Sequence, residues 1–308
     1  MHTKEELMKL YNLPLDELLS ISEKLVKNEV EFCSLINARN GKCSQNCKYC
    51  AQSSHYNTDI ESFPLVEMDK VVASAKESKE NQAYRFAIVT SGKTPDEGRD
   101  FSLELDMIKK INEMGLLSCA SIGILNDEQA KALADAGLRR FHHNINTCRS
   151  YYPDVCTTHS FEDRVNTCKL VKKYGMELCC GVILGMGETV EQRIEMALEL
   201  AEIEPDSIPI NILMPIKNTP FENYGDKIDE ENILRTLAVF KIANPNAVLR
   251  FCGGRMKLSI ENQKLALKKA VEGIMIGNYL TTIGQIPSED IKMVEGLGKK
   301  IFKPELVK

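Results

Sequence analysis

Short apolar runs rich in β-formers alternate along the chain with stretches in which apolar residues recur every three to four positions. The runs predict strands over residues 32–38, 85–90, 116–122, 140–146, 177–184, 207–215, 248–252 and 274–279, eight in all. Between them the helical period occupies 66–80, 101–114, 126–136, 161–174, 190–203, 230–243 and 260–270. Gly115, Gly137 and Gly175 each stand between a helical stretch and the next strand, where a C-terminal cap belongs. Regular alternation of strand and helix implies parallel strands joined by helical crossovers. Periodicity alone does not separate a closed barrel from a doubly wound open sheet. Eight units, with no G-x-G-x-x-G after the first strand, favour the barrel. The expected fold is therefore α/β, a (β/α)8 TIM-type barrel over residues 32–308 with an N-terminal helical extension over 1–31 and a closing helix or tail at the C-terminus.

The chain has 308 residues and a net charge of −5 with no block of like charges, which gives no case for nucleic acid. The longest apolar stretches, 182–187 and 208–216, are too short to cross a bilayer. The first residues are charged and helix-prone and lack a signal-peptide core, so a cytoplasmic protein without a membrane partner is expected. Eleven cysteines in such a chain point to metal or redox work rather than a disulfide framework.

Cys43, Cys47 and Cys50 lie in the run Asn40-Gly-Lys-Cys-Ser-Gln-Asn-Cys-Lys-Tyr-Cys-Ala-Gln-Ser-Ser54, a C-x3-C-x2-C pattern just past the first predicted strand. Soft thiolates are the ligands of iron–sulfur clusters, and three from one short loop fill three corners of a four-iron cube. The fourth iron is left for something that is not protein. Structural zinc takes four protein ligands in paired sets, which this loop does not supply. Catalytic groups of a barrel lie at the C-terminal ends of its strands, and the loop falls on that face.

In this cysteine run and its place after the first strand, the chain resembles the radical S-adenosylmethionine (SAM) superfamily, and within it the biotin synthase family. The likeness continues through Phe141-His-His-Asn-Ile-Asn-Thr147, Gly181-Val-Ile-Leu-Gly-Met-Gly-Glu-Thr189, Ser207-Ile-Pro-Ile-Asn-Ile-Leu213, Arg250-Phe-Cys-Gly-Gly-Arg255 and Leu280-Thr-Thr282. The resemblance implies a barrel, usually dimeric, that closes the thiophane ring of biotin by inserting sulfur into dethiobiotin. It implies a 4Fe-4S cluster on Cys43, Cys47 and Cys50, and SAM as the source of a 5′-deoxyadenosyl radical. Tyr49 matches the aromatic that flanks the adenosyl group. Asn144 and Asn146 match polar residues for the SAM ribose and the substrate, with Asn146 standing where the family has Asp. Arg164 matches a partner for the SAM carboxylate; read from the residues alone, it is equally a solvated helix charge. Gly185, Gly187 and Glu188 match a glycine turn near the adenosyl group, Asn211 a substrate-binding amide, and Arg39 a position where the family often has Lys.

The family also commonly holds a 2Fe-2S auxiliary cluster, thought to be the sulfur source, on three cysteines and an arginine. Cys119, Cys179 and Arg250 match three of those ligands, but the fourth falls at Ala87. Cys252 and Cys180 are the candidate replacements. Cys252 shares a strand face with Arg250, whereas Cys180 follows Cys179 directly and points the other way unless a bulge intervenes. Cys119, Cys179 and Cys252 fall on predicted strands three, five and seven, and alternate strands supply one layer of a barrel interior. The expectation is a rebuilt auxiliary iron–sulfur cluster on these three, with Cys180 or Arg250 as a further ligand and a four-iron form preferred to 2Fe-2S. The alternative is that Cys119 and Cys252 are core thiols and the second cluster is absent. Cys33 and Cys168 are read as structural, and Cys148 and Cys156 stay open.

Two other readings remain at this point: a related radical SAM enzyme, like a hydrogenase maturase or a methylornithine synthase, and a non-catalytic iron–sulfur electron carrier. A low-potential donor, ferredoxin or flavodoxin, is expected because no electron-carrier domain is visible, and the family likeness implies a homodimer.

Overall fold

The computed structural model describes residues 2–95, 99–277 and 284–304. Its strands are β1 (Glu29–Arg39), β2 (Arg85–Thr90), β3 (Leu117–Ser121), β4 (Arg140–His142), β5 (Glu177–Cys179), β6 (Val182–Leu184), β7 (Ser207–Ile212), β8 (Val248–Phe251), β9 (Gly273–Met275) and β10 (Lys300–Ile301). All pair in parallel, in the order β1-β2-β3-β4-β5-β7-β8-β9, and β9 pairs back onto β1. The sheet is thus a closed barrel of eight staves, the fifth made of β5 and β6 in succession. β10 adds to the entry of β1, Glu29 opposite Lys300 and Val30 opposite Ile301.

The break in the fifth stave has a local cause. Cys179 pairs with Ser207 and Val182 with Ile210, so the gap lies opposite Ile208 and Pro209. Proline has no N–H to give to a ladder. Gly181 fits there because a Cβ would come within 1.9 Å of the Pro209 carbonyl oxygen. The fourth stave is also shorter than its apolar run: Asn146 takes φ 67°, a left-handed conformation that no strand continues through. The eighth run is described only as far as Gly277, and Leu280-Thr-Thr282 lies outside the described residues.

Helices alternate with the staves. Val190–Ile203 and Glu230–Ala243 have the bounds the period predicts. Capping boxes at Asn126, Ser160 and Thr189 each satisfy an orphan N–H and fix where a helix begins. The N-terminal helices Lys4–Tyr11 and Leu15–Glu23 bury Leu7, Leu18 and Leu19. Tyr11 Oη donates to Asn232 Oδ1 at 2.6 Å, and Arg235 Nη1 donates to the Leu13 carbonyl at 2.6 Å, tying this pair to helix Glu230–Ala243.

At the N-terminal end of the barrel the interior is ionic. Glu31 of β1 accepts from Arg85 of β2, from Arg140 of β4 at 2.8 Å and from Arg250 of β8. Half-exposed Glu177 adds a second carboxylate, 2.6 Å from Arg140 Nη2 and 3.0 Å from Arg85 Nη2. Removing one partner of a buried ionic cluster leaves the others uncompensated. Glu31→Gln should therefore cost about 3–5 kcal/mol, read as a lower urea midpoint. Burial raises the Glu31 pKa, but the charges of Arg250, Arg140 and Arg85 outweigh burial and hold it well below the usual carboxylate range. Its contribution is complete above the unfolded value, about 4.3, and is lost as pH falls toward the lower folded value. Acid should thus narrow the stability gap between wild type and Glu31→Gln; a gap constant to pH about 2 would contradict this account.

Candidate metal and cofactor site

One cavity of about 340 Å3 runs through the barrel from the C-terminal mouth to the ionic base. Tyr49 and Cys50 line its mouth, Asn144, Asn146 and Asn211 its wall, and Cys33, Cys119, Cys179 and Cys252 its lower part, above Arg85, Arg140 and Arg250.

The mouth is built by the loop that leaves β1. Gly41 (φ 78°) and Lys42 (φ 55°) turn the chain in left-handed conformations, and a Cβ on Gly41 would meet Ser62 Oγ at 2.1 Å. The loop closes through Cys43 N–H to the Gln52 carbonyl at 2.9 Å and Ser54 N–H to the Cys43 carbonyl at 2.7 Å. Asn46 then pins it to the neighbouring loop: its Oδ1 accepts from the N–H groups of Thr157 and Thr158 at 3.0 and 3.2 Å, and its Nδ2 donates to Thr157 Oγ1 at 2.6 Å. Cys50 faces the cavity, and burial pushes its thiol up to about 11. Cys47 turns toward Cys156 Sγ at 3.6 Å and His159 Nε2 at 3.5 Å. A hydrogen bond from Cys47, with His159 beside it, lowers the Cys156 pKa, and the same bond raises that of Cys47. Three soft donors on an anchored loop fit a cluster with one open iron.

Arg164 is not a solvated helix charge. From helix Phe161–Lys173 it turns inward, donating through Nε to Tyr152 Oη at 2.7 Å and through Nη1 to the Asn144 carbonyl at 2.9 Å. Asn144 Oδ1 accepts from Gly181 N–H at 2.9 Å, and Asn146 bridges to Val182. Asn144 and Asn146 lie beyond the end of β4, yet both reach the cavity. Asn211 on β7 accepts from Gly253 N–H at 3.1 Å and donates to the Val182 carbonyl at 3.2 Å, leaving one N–H and one lone pair over. Glu188 is not among the residues lining this cavity: its carboxylate accepts from Gly185 and Met186 N–H groups at 2.9 and 2.8 Å and pairs with buried Arg193 at 3.1 Å. It braces the Gly185–Gly187 turn through the backbone. A Cβ on Gly187 would meet Tyr224 at 3.0 Å and Tyr151 Oη at 3.2 Å.

Three expectations change. Arg39 does not reach the cavity wall; it lies against Asp100 at 3.4 Å and Glu104 at 3.6 Å on helix Arg99–Glu113. The cause is a register shift between Asn37 and Arg39, which reverses the strand alternation. Cys180 stands outside the cavity, fully buried against Cys168. Cys33, read as structural, lies inside it.

The base is short of negative charge, since three guanidiniums face two carboxylates. Arg85 Nη1 is buried with no hydrogen-bond partner. Burial pushes the Cys119 thiol up to about 12 against the pull of Arg85 and Arg140. An anionic cluster on thiolates would meet the cation excess and offer the orphaned N–H an acceptor. Sequence reading also passed over His142, whose Nδ1 lies 3.3 Å from Cys179 Sγ. Burial, then the Arg250 charge, lowers its pKa to about 4, so it is neutral at pH 7. Its signal was present: His142 is two residues before Asn144.

The Radical SAM superfamily profile matches residues 39–201, and that of the Biotin and Thiamin Synthesis associated domain matches residues 209–300. A biotin synthase of Acetivibrio thermocellus is 45% identical over 93% of this chain and 90% of its own length. One of Pelotomaculum thermopropionicum is 43% identical over 96% and 94%. Among solved structures, a methylornithine synthase superposes with a TM-score of 0.83 over 98% of this chain and 94% of its own, at 18% identity. A FeFe-hydrogenase maturase of Carboxydothermus hydrogenoformans superposes at 0.81 over 97% and 76%, at 13% identity. At such low identity these two show a common fold.

The Asn46 anchor makes a test of the mouth. Asn46→Ala removes the bonds to Thr157 and Thr158, each worth about 1 kcal/mol, and should lower the iron retained by the loop several-fold after anaerobic reconstitution. Iron retention equal to wild type would remove Asn46 from the architecture of the mouth.

Proposed function

The chain belongs to the biotin synthase family of radical SAM enzymes, and we propose how its residues divide the insertion of sulfur into dethiobiotin. Cys43, Cys47 and Cys50 hold the 4Fe-4S cluster at the mouth, Cys47 giving up its contacts with Cys156 and His159 to do so. With SAM bound, that cluster supplies the one-electron chemistry that activates an unreactive C–H bond. Tyr49 offers an aromatic wall to the adenosyl group. Arg164, already oriented by Tyr152, carries the charge for the SAM carboxylate. Asn144 and Asn146 offer polar atoms to the ribose and substrate, and the turn at Gly185 and Gly187, braced by Glu188, lets the backbone approach closely. The spare N–H and lone pair of Asn211 suit the cyclic urea of dethiobiotin, which both donates and accepts.

Cys119, Cys179 and Cys252 hold the auxiliary cluster in a four-iron form, as sulfur source. The observation that carries this reading is the single cavity: the mouth with Cys50 and the base with these three thiols open onto one space, so a substrate between them meets both.

Electrons come from a ferredoxin or flavodoxin, the enzyme acts as a homodimer, and eleven cysteines given to metal work rather than a disulfide framework suit the cytoplasm. Among the described residues no helix is long and apolar enough to cross a membrane.

Anaerobic enzyme reconstituted with isotopically labelled sulfide, then given dethiobiotin, SAM and a reductant, should release labelled biotin and 5′-deoxyadenosine. Cys252→Ala should still cleave SAM but form less than about a hundredth of the biotin, a loss of about 2.7 kcal/mol or more in transition-state stabilisation. SAM cleavage with no biotin from wild type would overturn the assignment. Full biotin formation by Cys252→Ala would remove that cysteine from the sulfur source.

A further inference from the structure

Cys33 is a fourth thiol at the base of the cavity, and the barrel's geometry gives it a place there. A barrel of eight staves fills each interior layer with four side chains drawn from alternate strands. Cys119 lies on the third stave, Cys179 at the end of the fifth, Cys252 just past the seventh, and Cys33 on the first. All four line the same cavity. We propose that Cys33 is a protein ligand of the auxiliary cluster, completing a four-thiolate set with Cys119, Cys179 and Cys252. This rests on the auxiliary-cluster reading given above and names a ligand beyond it.

Several observations point the same way. The stave that carries Ala87 is flanked by β1 and β3, with Ala87 opposite Leu35 on one side and Cys119 on the other. Cys33 is two residues before Leu35, on the same face of β1, so a thiol missing from the second stave is offered from the stave beside it.

The guanidinium of Arg250 is already committed: Nη2 pairs with Glu31 and Nε donates to Ser207 Oγ at 3.1 Å. A guanidinium has no lone pair while protonated, and losing its proton here would weaken the ion cluster on Glu31.

The spacing suits a cluster better than a single ion. Among the described residues, the trio of ligand atoms that gathers within 4.8 Å is Cys47, Cys156 and His159 at the mouth. The four lower thiols are not so gathered; they surround open space, with the cation excess and the orphaned Arg85 Nη1 beneath. Cys168 and Cys180, equally buried, face each other outside the cavity and provide an internal comparison.

The test uses the full chain carrying Cys43→Ala, Cys47→Ala and Cys50→Ala, so that any remaining iron belongs to the base. After anaerobic reconstitution, iron and acid-labile sulfide are counted per chain and Mössbauer and paramagnetic resonance spectra recorded. The parent should hold about four irons, all in a four-iron environment. Adding Cys33→Ala should take the count to about three or fewer, with a three-iron spectrum or none. Cys33→Ser, which keeps the volume and substitutes oxygen for sulfur, should hold iron with altered spectra; Cys168→Ala should match the parent. Thermal melts of the metal-free proteins verify folding, and the serine variant carries the test if the alanine variant unfolds. Unchanged iron and spectra in both Cys33 variants would overturn the ligand assignment while leaving the auxiliary cluster standing. No iron in the parent would overturn the auxiliary-cluster reading, and this proposal with it.

Discussion

Three guanidiniums converge on the carboxylate of Glu31, and much of the molecule follows from the need to keep them there. They come from three different staves and meet on a fourth, so the contact joins segments separated by 54, 109 and 219 positions in the chain. Long-range contacts of this kind cost loop entropy before they return any stability, and a buried ionic set stabilises only when complete. Glu31 and Glu177 do not balance the three cations. The base of the barrel therefore carries positive charge in a buried place, and burial raises the pKa of the thiols above it against the pull of those cations. Chemistry that brings negative charge to those sulfurs relieves both conditions together.

The two ends of the cavity are built on different principles. The base stands on β-strands whose backbone is fixed by neighbours on both sides, so its side chains keep their spacing without ligands. The mouth stands on loops, and its order comes from particular hydrogen bonds: Asn46 to the Thr157–Thr158 turn, Arg164 to Tyr152, Glu188 to the N–H groups of the glycine turn. A site that must admit and release a large cosubstrate belongs on loops, whereas one that must keep atoms in register belongs on strands.

The barrel was legible because its period is a property of whole segments. Several helices begin and end where their apolar spacing predicts, since a capping residue and a change of period coincide there. The cysteine loop was legible for the same reason, being local. What escaped depended on pairing partners that the segment itself does not encode. Arg39 was misplaced by a shift in the ladder at the end of β1, and the fifth stave was divided by a proline on its neighbour. Arg164 turned inward for a tyrosine and a carbonyl brought from elsewhere in the chain. Cys33 is the instructive case. The alternate-strand argument that collected Cys119, Cys179 and Cys252 also required a first-stave member, and β1 already carried a cysteine.

The lower wall of the barrel behaves as a lattice of interchangeable positions. Alternate staves send inward side chains to one layer, and Ala87 on the second stave lines the same cavity with a methyl group. A thiol absent at Ala87 on the second stave is thus matched by the inward thiol of Cys33 on the stave beside it. Holding a metal group in such a lattice is a choice of seats rather than a fixed inheritance. A lineage can change the shape of its inorganic cargo while the surrounding fold stays as it was.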